Sequence, residues 1–304
     1  MSTNLQIGIV GLPNVGKSTL FNAITKAGAE AANFPFCTIE PNVGVVEVPD
    51  HRIYDLAAMF KPKKTTPAFT RFVDIAGLVA GASKGEGLGN QFLSHIRETD
   101  AITHVVRCFE DGNITHVEGS IDPVRDMDII NTELCLADLE SVDKKKTKTA
   151  KLAQAGIKQA KADLPVLEKV YDALQNGTPA RALDLSDDDL EVLKELNLIT
   201  LKPVLYVLNM AEDDIADPLA NEYVQAASKE AEKEGAKWVP ISAEIEEEVS
   251  ELDGEEAKAF LADLGEEEPG LNRLIRTAYS MLGLINFFTV GPDECRSWTV
   301  RAGT

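Results

Sequence analysis

Residues 11–19 have the sequence GLPNVGKST and lie between a short apolar run and a helical pattern, an arrangement that few folds accommodate. The segment fits G-x-x-x-x-G-K-[ST], and the run 5–10 before it predicts a buried strand. Lys17–Ala27 predicts a helix that Gly28 ends in the left-handed region. Backbone N–H groups in such a turn approach phosphate oxygens, and the helix N-terminus adds its positive end. The pattern therefore predicts a phosphate-binding loop.

The residue types in this loop indicate a nucleoside triphosphate bound with Mg²⁺. We expect Lys17 to reach the β- and γ-phosphates and assist hydrolysis, and the Ser18 hydroxyl to ligate Mg²⁺. The other nucleotide contacts predicted in the loop belong to Asn14, Val15, Gly16 and Thr19. A glycine-rich turn that binds nothing is the competing interpretation, and the flanking strand and helix argue against it.

A second motif strengthens this prediction, because Asp74-Ile75-Ala76-Gly77 ends the predicted strand 69–75. An acid at the carboxyl end of a neighbouring strand is where a Mg²⁺-binding aspartate belongs, so Asp74 is a predicted metal ligand. The Gly77 N–H is expected to approach the γ-phosphate. Between the two motifs, Thr38 has the position of a switch threonine that senses Mg²⁺ and the γ-phosphate.

The predicted base-binding motif departs from the guanine-specific pattern. Guanine-specific P-loop proteins end the corresponding strand in Asn-Lys-x-Asp, whereas this chain has Asn209-Met210-Ala211-Glu212. The extra methylene of glutamate displaces the carboxylate that pairs with guanine, so we expect weak or absent guanine preference. The predicted base contacts are Asn209, Met210 and Glu212, with Ser242 and Ala243 from the loop after the next strand.

Strand and helix patterns alternate along the chain, which predicts an α/β fold with a mostly parallel sheet covered on both faces, and the phosphate-binding loop makes this a P-loop NTPase fold. The predicted strands are 5–10, 43–48, 69–75, 102–109, 204–208 and 238–241, and the helices between them include 52–60, 91–97 and 218–234. Residues 131–200 carry helical spacing instead and predict a paired-helix insertion. The expected divisions are 1–130 and 201–280 for the sheet domain, 131–200 for the insertion, and 281–304 for a lone hairpin that begins another domain.

Charge is unevenly distributed along the 304 residues, whose formal net charge is −20. Residues 244–268 hold twelve acidic side chains and one lysine, which indicates a solvated surface. An overall basic footprint for nucleic acid is excluded. Local contact with RNA phosphates is expected at two lysine clusters: Lys61, Lys63 and Lys64, and Lys144, Lys145, Lys146, Lys148 and Lys151. The absence of an 18-residue apolar run, a signal peptide or a Cys-x-x-Cys pair predicts a cytoplasmic protein without a membrane segment.

The chain resembles the YchF/Obg-like ATPase family of P-loop proteins. The resemblance rests on GLPNVGKST at 11–19, NFPFCTIEPN at 33–42, DIAGLV at 74–79, KGEGLGNQFL at 84–93 and NMAE at 209–212. It implies a G-domain that hydrolyses ATP, with GTP a poorer substrate, a helical coiled-coil insertion and a C-terminal TGS domain of β-grasp type. It also implies association with the ribosome or its large subunit. The family's TGS domain continues beyond residue 304, so 281–304 is expected to be its truncated start.

The resemblance also addresses the residue that orients water for hydrolysis. Leu78 stands where Ras-type enzymes carry a glutamine, and leucine cannot hydrogen-bond water. From the sequence alone His51, His95, His104 and His116 are each expected to be structural or surface residues. In the family a histidine after the fourth strand of the pattern replaces the glutamine, and that role maps onto His116.

Three functions stay open at this point. The first is an ATPase that acts as a ribosome-associated switch, expected as a monomer. The second is a GTPase of the Obg type in which Glu212 substitutes for aspartate. The third is a nucleotide-gated ribosome-binding module whose turnover is incidental.

Overall fold

The computed structural model describes residues 5–28, 42–75, 88–112 and 116–303, with only the backbone of residues 88–91. A six-stranded sheet forms the centre of the larger unit, and its strand order is β2-β4-β1-β5-β6-β7. All neighbours in it are parallel except β2 and β4, which are antiparallel. The prediction of a mostly parallel sheet is confirmed. The described strands are β1 (Gln6–Val10), β2 (Val43–Glu47), β3 (Lys64–Thr66), β4 (Phe69–Asp74), β5 (Ala101–Arg107), β6 (Val204–Asn209), β7 (Lys237–Ile241), β8 (Leu284–Val290) and β9 (Glu294–Arg301).

Helices cover both faces of this sheet and extend away from it as a hairpin. They are α1 (Lys17–Ala27), α2 (His51–Phe60), α3 (Leu88–Glu98), α4 (Pro123–Gln154), α5 (Lys158–Gln175), α6 (Asp187–Leu193), α7 (Glu222–Lys233), α8 (Ala243–Val249), α9 (Gly254–Asp263) and α10 (Gly270–Met281). The central strands β5 and β6 are buried along their whole length, as expected for inner strands of a parallel sheet covered on both faces. Within the described part of the chain, no helix combines the length and the apolar character that crossing a bilayer requires.

Strand register brings the predicted site residues to one edge of the sheet. Ile9 of β1 pairs with Asp74 of β4, and Asn209 of β6 pairs with Arg107 of β5 on one side and Ile241 of β7 on the other. Because these strands are parallel, their carboxyl ends and the loops that follow them meet at this edge. That is where parallel α/β sheets bind ligands.

Gly28 ends α1 as predicted, but the predicted left-handed conformation is wrong. Its φ of −86° and ψ of −4° lie in the right-handed helical region. The residue must be glycine for another reason: a Cβ there would lie 2.0 Å from the carbonyl oxygen of Val45 in β2. Close approach of two backbones, rather than a special dihedral, sets the residue type.

The helical hairpin consists of α4 and α5, which pack side by side around their own small core. That core comprises Cys135, Val142, Leu167, Val170, Leu174, Ala180, Leu193 and Leu198. α4 begins at Pro123 rather than at residue 131, with Asp122 as its N-cap accepting from the Arg125 N–H. Proline at the first helical position and aspartate before it are typical start signals.

Two buried polar clusters join the hairpin to the sheet unit. Asp138 of α4 accepts hydrogen bonds from the Thr200 N–H (2.7 Å) and hydroxyl (2.8 Å). Arg97 of α3 lies 3.1 Å from its other carboxylate oxygen, as an ion pair rather than an aligned hydrogen bond. At the second cluster Arg181 pairs with Glu234, the C-cap of α7, at 3.0 Å. The base of the hairpin is therefore held by charges withdrawn from water.

The C-terminal strands do not form the lone hairpin that the sequence predicts. β8 and β9 are antiparallel, and β3 adds a third, parallel strand along β9. Cys295 of β9 is fully buried and its thiol faces the Ile53 carbonyl of α2. The correction has a physical reason, since a two-stranded ribbon is only marginally stable and a third strand with a helix against it supplies a core.

Candidate nucleotide-binding site

A cavity of about 820 Å³ opens at the carboxyl edge of the sheet, within the size range of small-molecule sites. Its lining brings together these predicted residues: Asn14, Gly16, Lys17, Ser18, Thr19, Asn209, Met210 and Ala243. Residues separated by more than 200 positions in sequence thus meet around one cavity, as the motif analysis predicted.

The phosphate loop has the backbone that its sequence requires. Asn14 has φ 62° and Gly16 has φ 95°, both in the left-handed region. A Cβ on Gly16 would also lie 2.2 Å from Nδ2 of Asn209. Glycine is therefore needed at position 16 both for its dihedral and for the close approach of a side chain from β6.

Lys17 is buried at the first position of α1, and its Nζ donates a hydrogen bond to the Leu12 carbonyl oxygen at 2.5 Å. Burial lowers the pKa of Lys17 to about 8, and the charge of Asp74 opposes that shift. Burial likewise raises the pKa of the Asp74 carboxyl, against the influence of Lys17. Lys17 and Asp74 therefore lie near enough to affect each other, at the place where a triphosphate and its metal would bind.

Asn209 fixes the two loops that flank the cavity relative to each other. Its Nδ2 donates to the carbonyl oxygen of Val15 at 2.9 Å, and its Oδ1 accepts from the Ala243 N–H at 2.9 Å. All three residues are buried. The side chain predicted to contact the base thus ties the phosphate loop to the start of α8, and Val15 contributes its carbonyl to that link.

The remaining predicted base contacts differ in their placement. Met210 is buried at the cavity and its N–H donates to the Ile241 carbonyl at 2.9 Å. Ser242 is buried at the N-cap of α8. Glu212 is exposed on a short 3₁₀ turn, Glu212–Asp214, and is not among the described residues that line the cavity.

His116 also lies outside the described lining of the cavity. Its Nε2 is 2.7 Å from Oδ2 of Asp126 on α4, and its Nδ1 accepts from the Glu118 N–H at 3.1 Å. Both side chains of the His116–Asp126 pair are nearly inaccessible to water, at 4% and 2%. Both ring nitrogens of His116 are therefore engaged in hydrogen bonds within the protein.

The predicted Mg²⁺ ligands are only partly described. Thr38, together with Gly77 and Leu78, lies outside the described residues. Ser18 is exposed at the cavity, and Asp74 ends β4 beside β1. A hydroxyl and one carboxylate suit Mg²⁺, which usually takes one or two protein carboxylates together with phosphate oxygens. In the described ranges no group of three or more His, Cys, Asp or Glu side chains is placed to hold a metal by itself.

Residues 109–112, in the first part of the loop after β5, are site residues that the sequence motifs do not indicate. Phe109, Glu110, Asp111 and Gly112 line the cavity, and the Arg107 guanidinium lies 4.5 Å from the centre of the Phe109 ring. Glu244 and Glu247 of α8 complete the lining. Position supplies the signal that could have found the loop, because β5 lies between β1 and β6 and its carboxyl end must open at the same edge.

Comparison with known proteins agrees with this geometry. A family model described as "50S ribosome-binding GTPase" matches residues 6–137. The chain is 54% identical over 299 residues to "Ribosome-binding ATPase YchF" of Bacillus subtilis (strain 168), covering 98% of this chain and 82% of the relative. The protein of the same name from Escherichia coli O157:H7 is 55% identical over 296 residues, covering 97% of this chain and 81% of that relative.

A solved structure is similar over nearly the whole chain. It is the Schizosaccharomyces pombe YchF GTPase, with a TM-score of 0.88 and 44% identity, and the match covers 99% of this chain and 82% of that one. Identity above half over nearly all of the sequence, together with the same fold, places the chain in the YchF family of P-loop nucleotide hydrolases.

Proposed function

We propose that this chain is a ribosome-associated ATPase that cleaves the bond between the β- and γ-phosphates of ATP and releases ADP and phosphate. The observation that carries the proposal is the set of residues at the end of the cavity where the nucleotide base is expected to bind. Asn209 and Met210 line it, whereas the carboxylate of Glu212 is exposed outside the described lining. A guanine-specific site needs that carboxylate on the base.

Hydrolysis in this site relies on positioning and charge. Protonated Lys17 leaves the Leu12 carbonyl to hold the β- and γ-phosphate oxygens, and backbone N–H groups of the phosphate loop surround them. Ser18 and Asp74, with Thr38, would hold Mg²⁺, which neutralises phosphate charge when bound. His116 positions the attacking water in place of the glutamine that Leu78 replaces.

Calorimetric titration with ATP and GTP, each with Mg²⁺, tests the proposal. We expect ATP to bind at least as tightly as GTP, and GTP binding tenfold tighter would overturn it. The Obg-type GTPase alternative is favoured by the family model for a GTPase. Under that alternative Glu212→Asp changes little, and Asp213→Glu on the same exposed turn is the matched control.

The alternative of a nucleotide-gated binding module makes a different prediction for a variant that cannot hydrolyse ATP. For it, His116→Ala abolishes turnover while co-sedimentation with ribosomes stays dependent on nucleotide. Binding that is the same with a non-hydrolysable analogue as without nucleotide would exclude any switch. The relatives named ribosome-binding ATPases motivate the choice of ribosomes as the probe.

The proposed RNA contact concentrates at the tip of the helical hairpin. Several predicted lysines are neutralised: Lys63 pairs with Asp293, Lys144 with Glu140, Lys145 with Glu195, and Lys146 with Asp143. Lys148 and Lys151 are exposed, and no carboxylate of the described chain lies within 4 Å of either. Residues 147–162 contain four lysines and no acid, in a chain of net charge −20.

The four tip lysines are Lys148, Lys151, Lys158 and Lys161. If each neutralises a phosphate, the slope of log K against log salt becomes less steep by about 3 when all four are changed to glutamine, at roughly 0.7–0.9 per contact. The matched control changes Lys144, Lys145 and Lys146, and should leave the slope nearly unchanged. Equal effects of the two variants on binding to a short RNA duplex would contradict the assignment. Sedimentation of the free protein tests the proposed monomer.

A further inference from the structure

The hydrogen bonds of His116 assign its tautomer. The Glu118 N–H donates to Nδ1, so that nitrogen carries no proton in the neutral ring. The proton is then on Nε2, which donates to Oδ2 of Asp126 at 2.7 Å. Neither nitrogen is left to contact a water molecule. The ring is therefore held in a position that cannot assist hydrolysis.

Asp126 is itself rigidly held. Its other oxygen, Oδ1, accepts from Arg125 Nη2 at 3.0 Å and Nε at 3.3 Å. Arg125 also donates to the hydroxyl (3.0 Å) and carbonyl (2.6 Å) of Ser120, which closes the loop between His116 and α4. The Asp126 N–H donates to the Asp122 carbonyl at the start of the helix. The acceptor that holds His116 is thus part of the first turns of α4.

We propose that Asp126 is a positioning residue that restrains His116 in a resting state, and that hydrolysis requires this hydrogen bond to break. The inference rests on the proposed function, since it assumes that His116 positions the water. A carboxylate can instead orient a catalytic histidine, as in hydrolase triads, but there the second nitrogen is free to face the reacting atoms. Here Glu118 occupies it. The geometry therefore favours restraint over orientation.

Steady-state ATP hydrolysis by Asp126→Ala separates the two roles. Restraint predicts that kcat rises, roughly tenfold for the loss of one hydrogen bond to a charged group, while KM for ATP stays the same. An orienting role predicts a fall in kcat. Arg125 is partly exposed and can be hydrated once Asp126 is gone, so the variant should fold, and Asp126→Asn is a second variant that preserves volume. The single side-chain oxygen of asparagine cannot accept hydrogen bonds from both His116 and Arg125. The restraint on His116 is therefore weakened but not removed, and kcat should rise by less than in Asp126→Ala.

Three controls complete the experiment. Asp122→Ala weakens the start of the same helix without touching His116, and its kcat should not rise. The ¹⁵N signals of the His116 ring should show protonated Nε2 in the wild type and a changed environment in Asp126→Ala. His116→Ala in the Asp126→Ala background should remove the gain. If His116→Ala alone retains full turnover, the proposed role of His116 fails; if it abolishes turnover while Asp126→Ala leaves kcat the same or lower, only the restraint fails.

Discussion

Asn209 donates a hydrogen bond to the carbonyl oxygen of Val15, 194 residues earlier in the chain, at a distance of 2.9 Å. The bond connects the end of β6 to the phosphate loop, so the base end and the phosphate end of the cavity share one side chain. Gly16 leaves the space that this contact occupies.

Asn209→Ala should therefore lower both stability and nucleotide affinity. It leaves the Val15 carbonyl and the Ala243 N–H buried without their partner, and two such groups cost about 2–6 kcal/mol of unfolding free energy. Urea unfolding and calorimetry with ATP measure the two effects. Glu212→Ala, on an exposed turn, is the control and should change the unfolding free energy by less than about 0.5 kcal/mol. Equal stability of the two variants would contradict the bridging role.

ATP affinity should fall as the pH rises above about 8. Burial lowers the pKa of Lys17 to about 8 in the free protein, and the triphosphate binds the protonated form. Below that pH Lys17 is already charged, so its contribution to ATP affinity does not change with pH. Above that pH the free protein has lost the proton, and binding of ATP must take one up from solution. Calorimetry at pH 9 in two buffers with different ionisation enthalpies detects that uptake. Lys17→Arg keeps its charge throughout this range, so any binding that it retains should show no proton uptake.

Gly28→Ala should destabilise the protein by about 2 kcal/mol, a typical cost of overpacking. The added methyl group would lie 2.0 Å from the Val45 carbonyl, and β2 must move to admit it. Gly254→Ala is the matched control, since nothing lies within 4 Å of a Cβ there. Guanidinium unfolding of both variants provides the comparison. A cost that was the same for both would show that the backbones at Gly28 separate easily.

Asp138→Ala should destabilise the attachment of the helical hairpin by about 3–5 kcal/mol. The change removes one partner of a buried pair: it leaves the Thr200 N–H and hydroxyl without their acceptor and Arg97 without its carboxylate partner. Glu140→Ala breaks the exposed pair with Lys144 on the same helix and should leave the unfolding free energy unchanged within error. Hydrogen exchange of α4 and α5 should increase in the first variant and not in the second. The opposite ranking would show that the hairpin is held by its apolar core alone.

Local patterns were enough to predict the nucleotide domain. The phosphate loop and the order of strands and helices both follow from residues close together in sequence. The start of α4 could also have been found, since Asp122 and Pro123 are ordinary helix-start residues. Gly28 shows a limit of such patterns. Glycine at a helix end can be required by a left-handed conformation or by the close approach of another backbone, and a local pattern does not distinguish the two.

Contacts between distant segments could not be predicted. β3 has three residues and no apolar alternation, so its first residue, Lys64, is predicted as part of a basic patch and not as part of a strand beside β9. The hydrogen bond from His116 to Asp126 likewise has no signature in spacing, since Asp126 lies in the first turn of a helix beside Arg125, which the sequence offers equally well as its partner. Both features depend on how the folded chain places one segment against another, and a local sequence pattern carries no information about that placement.

α4 is one continuous helix of 32 residues, about 48 Å long at 1.5 Å per residue. Asp138 holds it near the middle, with Asp126 about 18 Å away towards one end and Lys151 about 20 Å away towards the other. The half of α4 towards Asp126 is buried in the core of the sheet unit through Met127, Ile130 and Leu134, whereas Val142 further along packs in the hairpin's own core. The turn next to His116 is therefore anchored to the sheet, and the rest of the helix serves as an arm that carries the tip lysines away from it.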